Sequence, residues 1–157
     1  GIEQSEASSY IKAYFERYPG ILEYMDRTKH FCREHGYVET LFGRRCHVPG
    51  INDKDPAKRG FSERACINAP IQGAAADILK RAMIRVPSVL EQHGLTDKAH
   101  MLLTVHDELL FEVDMDVITQ TTEVVTEVMS SAALPMVSLD VPLVVDSGVG
   151  KTWSEAH

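Results

Sequence analysis

An α+β fold, with helices packed on one antiparallel sheet, is what this chain of 157 residues predicts. Three observations point there. Apolar and aromatic side chains recur at helical spacing from Glu3 to His35. Two β-type runs, Met101–Val105 and Leu109–Val113, flank a short polar connection, the pattern of a hairpin. Between these regions lies an Ala-rich stretch, Ser62 to Arg85, of high helix propensity.

In the first region Tyr10, Ile11, Tyr14, Phe15 and Tyr18 share a helix face, Pro19-Gly20 interrupts, and Ile21, Leu22, Met25 and Phe31 resume the pattern until Gly36. Aromatics so spaced are expected to form a buried face. Tyr37–Leu41 and Cys46–Val48 read as strands joined by Phe42-Gly43-Arg44-Arg45, a hairpin with a basic tip. The polar stretch from Asn52 to Gly60 reads as an exposed loop, with Ser62 as the N-cap of the helix that follows. Pro70 must kink that helix or start a second, coaxial piece. Leu95–Lys98 connects to the central hairpin, Asp116 to Ser131 is an amphipathic helix, Val141–Asp146 a closing strand, and Trp153 an anchor for the tail.

With 44% hydrophobic and 25% charged residues, the composition is that of an ordinary globular chain, long enough for one core and short for two. No apolar run is long enough to span a bilayer, and the opening Gly-Ile-Glu-Gln-Ser-Glu has no signal-peptide character. The absence of an initial Met places the natural start upstream, or marks an engineered one. Cys32, Cys46 and Cys66 form no Cys-x-x-Cys pair and cannot all be bridged within the chain; reduced thiols in a cytoplasmic setting are expected. The net charge of −7 is unevenly spread. Leu41 to Arg85 carries nine Lys and Arg against four acids, whereas Val86 to His157 carries two against twelve. Such asymmetry fits a polyanion-facing segment beside an acidic remainder, or two solvated faces of one domain.

Two constellations carry chemistry. His106-Asp107-Glu108 sits at or beside the turn of the central hairpin, where a short loop favours Asn-Gly, Asp-Gly or a leading Gly. Adjacent carboxylates in a tight turn repel, and local chemistry at odds with local structure marks a functional site. Hard oxygens at a strand end suit Mg²⁺, which takes one or two carboxylates and leaves room for phosphates. The plainer reading is an exposed acidic turn. The second constellation is Arg64, Asn68 and Gln72 at i, i+4 and i+8, which drift by about 40° per step and so project from one side of a continuous helix. Small residues follow at Gly73, Ala74, Ala75 and Ala76 and permit close approach of a large partner. The minor groove offers acceptors at every base pair, so a row of such donors could track a duplex without reading it, with Lys58, Arg59 and Arg64 facing phosphates. The plainer alternative is a solvated stripe, or an Asn and a Gln that satisfy backbone groups near Pro70.

Taken in order, several segments resemble the C-terminal part of the polymerase domain of the bacterial A-family DNA polymerases. They are Tyr14-Phe15-Glu16-Arg17-Tyr18-Pro19-Gly20, Gly36-Tyr37-Val38-Glu39-Thr40-Leu41 with Gly43-Arg44-Arg45, and Glu63-Arg64-Ala65-Cys66-Ile67-Asn68-Ala69-Pro70-Ile71-Gln72-Gly73. Ala75-Ala76-Asp77-Ile78, Val105-His106-Asp107-Glu108-Leu109 and Asp140-Val141-Pro142-Leu143 complete the set. The resemblance implies a partial palm, with residues 1–157 as its C-terminal portion and the fingers, first palm strand, exonuclease and 5′-nuclease regions elsewhere. It implies template-directed DNA synthesis by the parent protein, in replication and repair, in the bacterial cytoplasm at the nucleoid. Asp107 would be one of two carboxylates holding a catalytic Mg²⁺ pair, with Glu108 in support. His106, Arg64, Asn68 and Gln72 would contact primer–template DNA near the primer end, and Lys58 and Arg59 its backbone; deoxynucleoside triphosphates would be the other substrates. Thr104 stands where the family commonly has Gln.

The family's first metal-binding aspartate, in an Asp-Tyr-Ser-x-Ile-Glu strand, and its nucleotide-binding helix have no counterpart here. The chain by itself is therefore expected to be inactive, and the missing strand to leave a sheet edge open to self-association. Two other classes stand beside this reading. One is a non-catalytic DNA-binding module; the other is a metal-dependent phosphohydrolase using His106, Asp107 and Glu108, with Asp114 and Asp116 as the nearest further ligands.

Overall fold

The computed structural model describes residues 2–156, which form two compact units divided between Gln72 and Gly73. The α+β class holds, but the single sheet does not: each unit has its own two-stranded antiparallel sheet. A chain short for two domains makes two units because one long helix, α3 (Pro56–Gln92), supplies a packing surface to each.

In the first unit, α1 (Gln4–Arg17) and α2 (Pro19–His35) meet at Tyr18, where Pro19 occupies the first helical turn. Gly36 ends α2 in the left-handed conformation (φ 75°), its N–H donating to the Cys32 carbonyl. The chain then enters β1 (Tyr37–Glu39), which pairs with β2 (Arg45–His47). Thr40 stabilises the turn between them, its Oγ1 accepting from the N–H groups of Phe42 and Arg44. Val38 and Cys46 face inward, and the core gathers Cys32, Val38, Val48, Ile51 and Cys66.

The expected buried aromatic face on α1 is not formed. No residue of α1 is buried, and Tyr10 is 61%, Ile11 58% and Tyr14 50% exposed. Helical periodicity encodes an amphipathic face but cannot say what covers it.

Helix α3 begins earlier than expected, so Lys58 and Arg59 lie in its first turns and not in a loop. Asp55, with its side chain accepting from the Ala57 N–H, does the capping assigned to Ser62, which is instead buried within the helix. Pro70 neither ends nor restarts α3. A proline cannot donate to the carbonyl four residues earlier and loosens that turn. The next carbonyl along, that of Ile67, accepts a hydrogen bond from the Tyr24 hydroxyl of α2 at 2.9 Å.

The second unit takes the rest of α3, then β3 (Ala99–Val105) and β4 (Glu108–Val113), a 3₁₀ turn at Met115–Val117, α4 (Ile118–Ser130) and the short α5 (Trp153–Ala156). Ala82, Val86 and Leu90 of α3 recur every four residues and pack with Leu95, Ala99, Val124, Val128 and Ala132. Arg81 and Arg85 cap the end of α4. Arg81 donates to the Ala132 and Leu134 carbonyls at 2.8 and 3.2 Å, and Arg85 to those of Ser131 and Leu134. Val141–Asp146 is not in a sheet, and Val141 and Val144 are 73% and 79% exposed. Among the described residues no strand edge pairs with it, and extended backbone becomes a strand only with a partner. Trp153, 48% exposed, does not anchor the tail.

All three cysteines are free thiols. Burial pushes the Cys66 thiol up to about 11, helped by the adjacent Cys32, and raises Cys32 and the Tyr24 hydroxyl as well. These groups hold their protons in the folded unit at pH values where the unfolded chain releases them. Stability from them is full below about pH 9, where a free thiol begins to titrate, and is lost as pH rises towards about 11. Denaturant midpoints measured across that range should fall, and a Cys32→Ala/Cys66→Ala variant should show a shallower fall.

Candidate functional site

The hairpin turn is tighter than the sequence suggests. Val105 pairs with Glu108, so the loop is His106-Asp107 alone and Glu108 opens β4. His106 has φ 51°, the left-handed region, at a cost of about 1–2 kcal/mol for a non-glycine residue. Asp107 follows, exposed, and Glu108 is half-buried. The register slips at Leu102, a bulge that puts two residues of β3 opposite one of β4. Ala99 and Met101 pair with Val113 and Phe111, whereas beyond the bulge Thr104 and not Val105 shares that face, opposite Leu109. Glu108 lies on the other face with Leu110 and Glu112. The bulge thus changes which β3 residues share a face, and no residue type in β3 announces it, whereas the facing of Glu108 follows from unbroken alternation along β4.

Arg64, Asn68 and Gln72 all lie on uninterrupted α3 in the first unit, and all three are exposed. Among the described residues none of their side chains has a hydrogen-bond or ion-pair partner. The reading in which Asn68 and Gln72 satisfy the backbone near Pro70 is thereby excluded, and it is Tyr24 that donates to the Ile67 carbonyl there. Lys58 is likewise exposed and unpaired, while Arg59 is half-buried and donates to the Asp53 carbonyl at 3.1 Å.

The other basic groups differ. Arg33 pairs with Glu63 at 2.7 Å and Arg45 with Glu39 at 3.0 Å, and Arg81 and Arg85 hold carbonyls. The basic excess of Leu41 to Arg85 is therefore partly internal, while Lys54, Lys58, Arg64 and Lys80 are exposed without a side-chain partner among the described residues. His106, Asp107 and Glu108 lie in the second unit.

A hard divalent cation suits carboxylate oxygens, and Asp107, exposed and without a partner, fits as one ligand. The described residues assemble no group of three His, Cys, Asp or Glu side chains able to hold an ion. The phosphohydrolase reading loses its further ligands, because Asp114 and Asp116 lie beyond the opposite end of the hairpin. Asp116 pairs there with Lys98, which holds its carboxyl below the usual range.

This α+β chain carries exposed, unpaired donors along one helix and an exposed aspartate at a two-residue hairpin turn. It matches DNA polymerase family A over residues 1–155, and it belongs to that family. It is 52% identical to DNA polymerase I of Pseudomonas aeruginosa over 157 residues, all of this chain and 16% of that protein. With DNA polymerase I of Rhizobium leguminosarum it shares 51% identity over 156 residues, 99% of this chain and 15% of the relative. Among solved structures it is similar to the POL domain of Pol1 from M. smegmatis in complex with DNA primer-template and dNTP, with a TM-score of 0.90 and 40% identity. That match covers 99% of this chain and 26% of the other. The chain thus spans about a sixth of the curated relatives it matches.

Proposed function

We propose that the protein containing this chain extends a DNA primer on a template, joining deoxynucleoside triphosphates to the primer 3′-hydroxyl, in replication and repair at the bacterial nucleoid. The supporting observation is that Arg64, Asn68 and Gln72 stand exposed and unpartnered along α3 in a member of DNA polymerase family A. The three donors hold the minor-groove edge of the primer–template, and Lys58 and Arg59 meet its phosphates. His106 contacts the primer end, and Asp107 presents its carboxylate there with Glu108 behind it. Asp107 is one Mg²⁺ ligand, and the second carboxylate belongs to another part of the protein. A divalent pair supplies activation of the attacking hydroxyl and stabilisation of the leaving oxygen. Mg²⁺-dependent extension of a primer by the intact protein, directed by the template, tests the reading; DNA binding without incorporation would leave a non-catalytic binding module.

The isolated chain offers one metal carboxylate and should give no extension under the same conditions. Synthesis by these residues alone would show that the site is complete without the rest. The two-stranded β3–β4 sheet also has outer edges unpaired by any described strand, so the isolated chain should self-associate. A monomeric mass in sedimentation at all concentrations would remove that expectation.

A further inference from the structure

The first unit carries an aromatic cluster that the duplex contacts do not use. Phe31 and His35 lie four residues apart on α2 and stack at 4.1 Å with their rings 14° apart. The His35 Nδ1 lies 2.9 Å from the Phe31 carbonyl oxygen, which fixes its ring. Gly36 turns the chain so that Tyr37 meets both rings edge-on, at 5.7 and 6.0 Å. Tyr37 pairs across the sheet with His47, the ring centroids 5.9 Å apart. Arg45 shares this face by strand alternation; its guanidinium lies 4.6 Å from the Tyr37 ring centroid and is held by Glu39. Val38 and Cys46 point the other way, into the core.

The result is a run of rings on the outer face of the β1–β2 hairpin. His35 and His47 at its ends are both exposed, and the exposed Arg44 lies at the adjoining turn. A core-building role does not account for it, because the core lies on the opposite face. Flat rings interleaved with guanidinium groups suit unpaired nucleobases and their phosphates: any base has a π-face, and base–aromatic stacking is tolerant of sequence. A duplex offers no free base faces, so the fitting occupant is single-stranded nucleic acid.

We propose that His35, Tyr37, His47 and the Arg44-Arg45 tip form a stacking platform for unpaired template bases. This rests on the polymerase reading above. The test uses the intact protein and fluorescence anisotropy on a blunt duplex and on the same duplex with a 5′ template extension. The wild type should bind the extended substrate more tightly. A His35→Ala/His47→Ala variant should lose roughly tenfold of affinity for it, with blunt-duplex affinity unchanged. A His35→Phe/His47→Phe variant, which keeps the rings and removes the titratable groups, should retain the wild-type preference. An unchanged preference in the alanine variant overturns the platform, as does an equal loss on both substrates. A wild type that binds blunt duplex but gains nothing from the extension overturns the platform alone; one that binds neither removes the polymerase reading and the platform together.

Discussion

Asp107→Ala in the intact protein should lower nucleotide incorporation by about a thousandfold or more while leaving primer–template affinity nearly unchanged, a loss of about 4 kcal/mol of transition-state stabilisation. The reasoning is geometric. Asp107 is exposed at a two-residue turn, has no internal partner, and belongs to no packed cluster, so its removal leaves the fold intact. It is therefore conserving of structure and costly only where its charge is needed, in positioning a divalent ion. Asp107→Asn, which keeps the shape and removes the charge, should behave like the alanine variant. Single-turnover incorporation separates the step from binding, and anisotropy at fixed salt reports affinity. Turnover near the wild-type rate in either variant would remove Asp107 from the metal site and favour the non-catalytic module.

Arg64→Ala and Gln72→Ala should each weaken primer–template binding by about 1–3 kcal/mol, the range for losing a charge-assisted or desolvated hydrogen bond. The two losses differ in character. Arg64 carries charge, so its variant should have a smaller salt dependence of affinity, whereas the Gln72 variant should keep the wild-type slope. Neither side chain bonds within the protein, so thermal stability should hardly move. Titrations at several salt concentrations decide the matter, since equal affinities for both variants and the wild type would return the stripe to solvent.

The contrast between these residues and the other arginines explains why a charge count misleads. Arg81 and Arg85 look as available as Arg64 in a linear reading, yet they hold the end of α4 and the carbonyls after it. Which cation is left for a ligand depends on partners more than 50 positions away, as for Arg81 with Ala132 and Leu134. The alkaline sensitivity of the first unit has the same origin. Cys32 and Cys66 are unremarkable in sequence and become coupled because α2 and α3 bring both into one small core.

Local patterns in the chain determined a good deal by themselves. The helical spacing before Gly36, the two hairpins, the Ala-rich helix and the alignment of Arg64, Asn68 and Gln72 all follow from periods of 3.6 and 2 residues, and these repeat within a few positions. The identity of the candidate turn, His106-Asp107-Glu108, was legible because its chemistry disagrees with a simple loop. Tertiary structure decided the rest. It carried α3 unbroken through Pro70, left α1 and most of the 141–146 segment exposed, and shifted the register of β3 by a bulge at Leu102. It also assembled the Phe31–His47 cluster from a helix end and a strand pair. The physical reason is common to all of these. Periodicity is a property of a segment, whereas burial, pairing and the satisfaction of a polar group belong to two segments at once, and a linear pattern specifies only one of them.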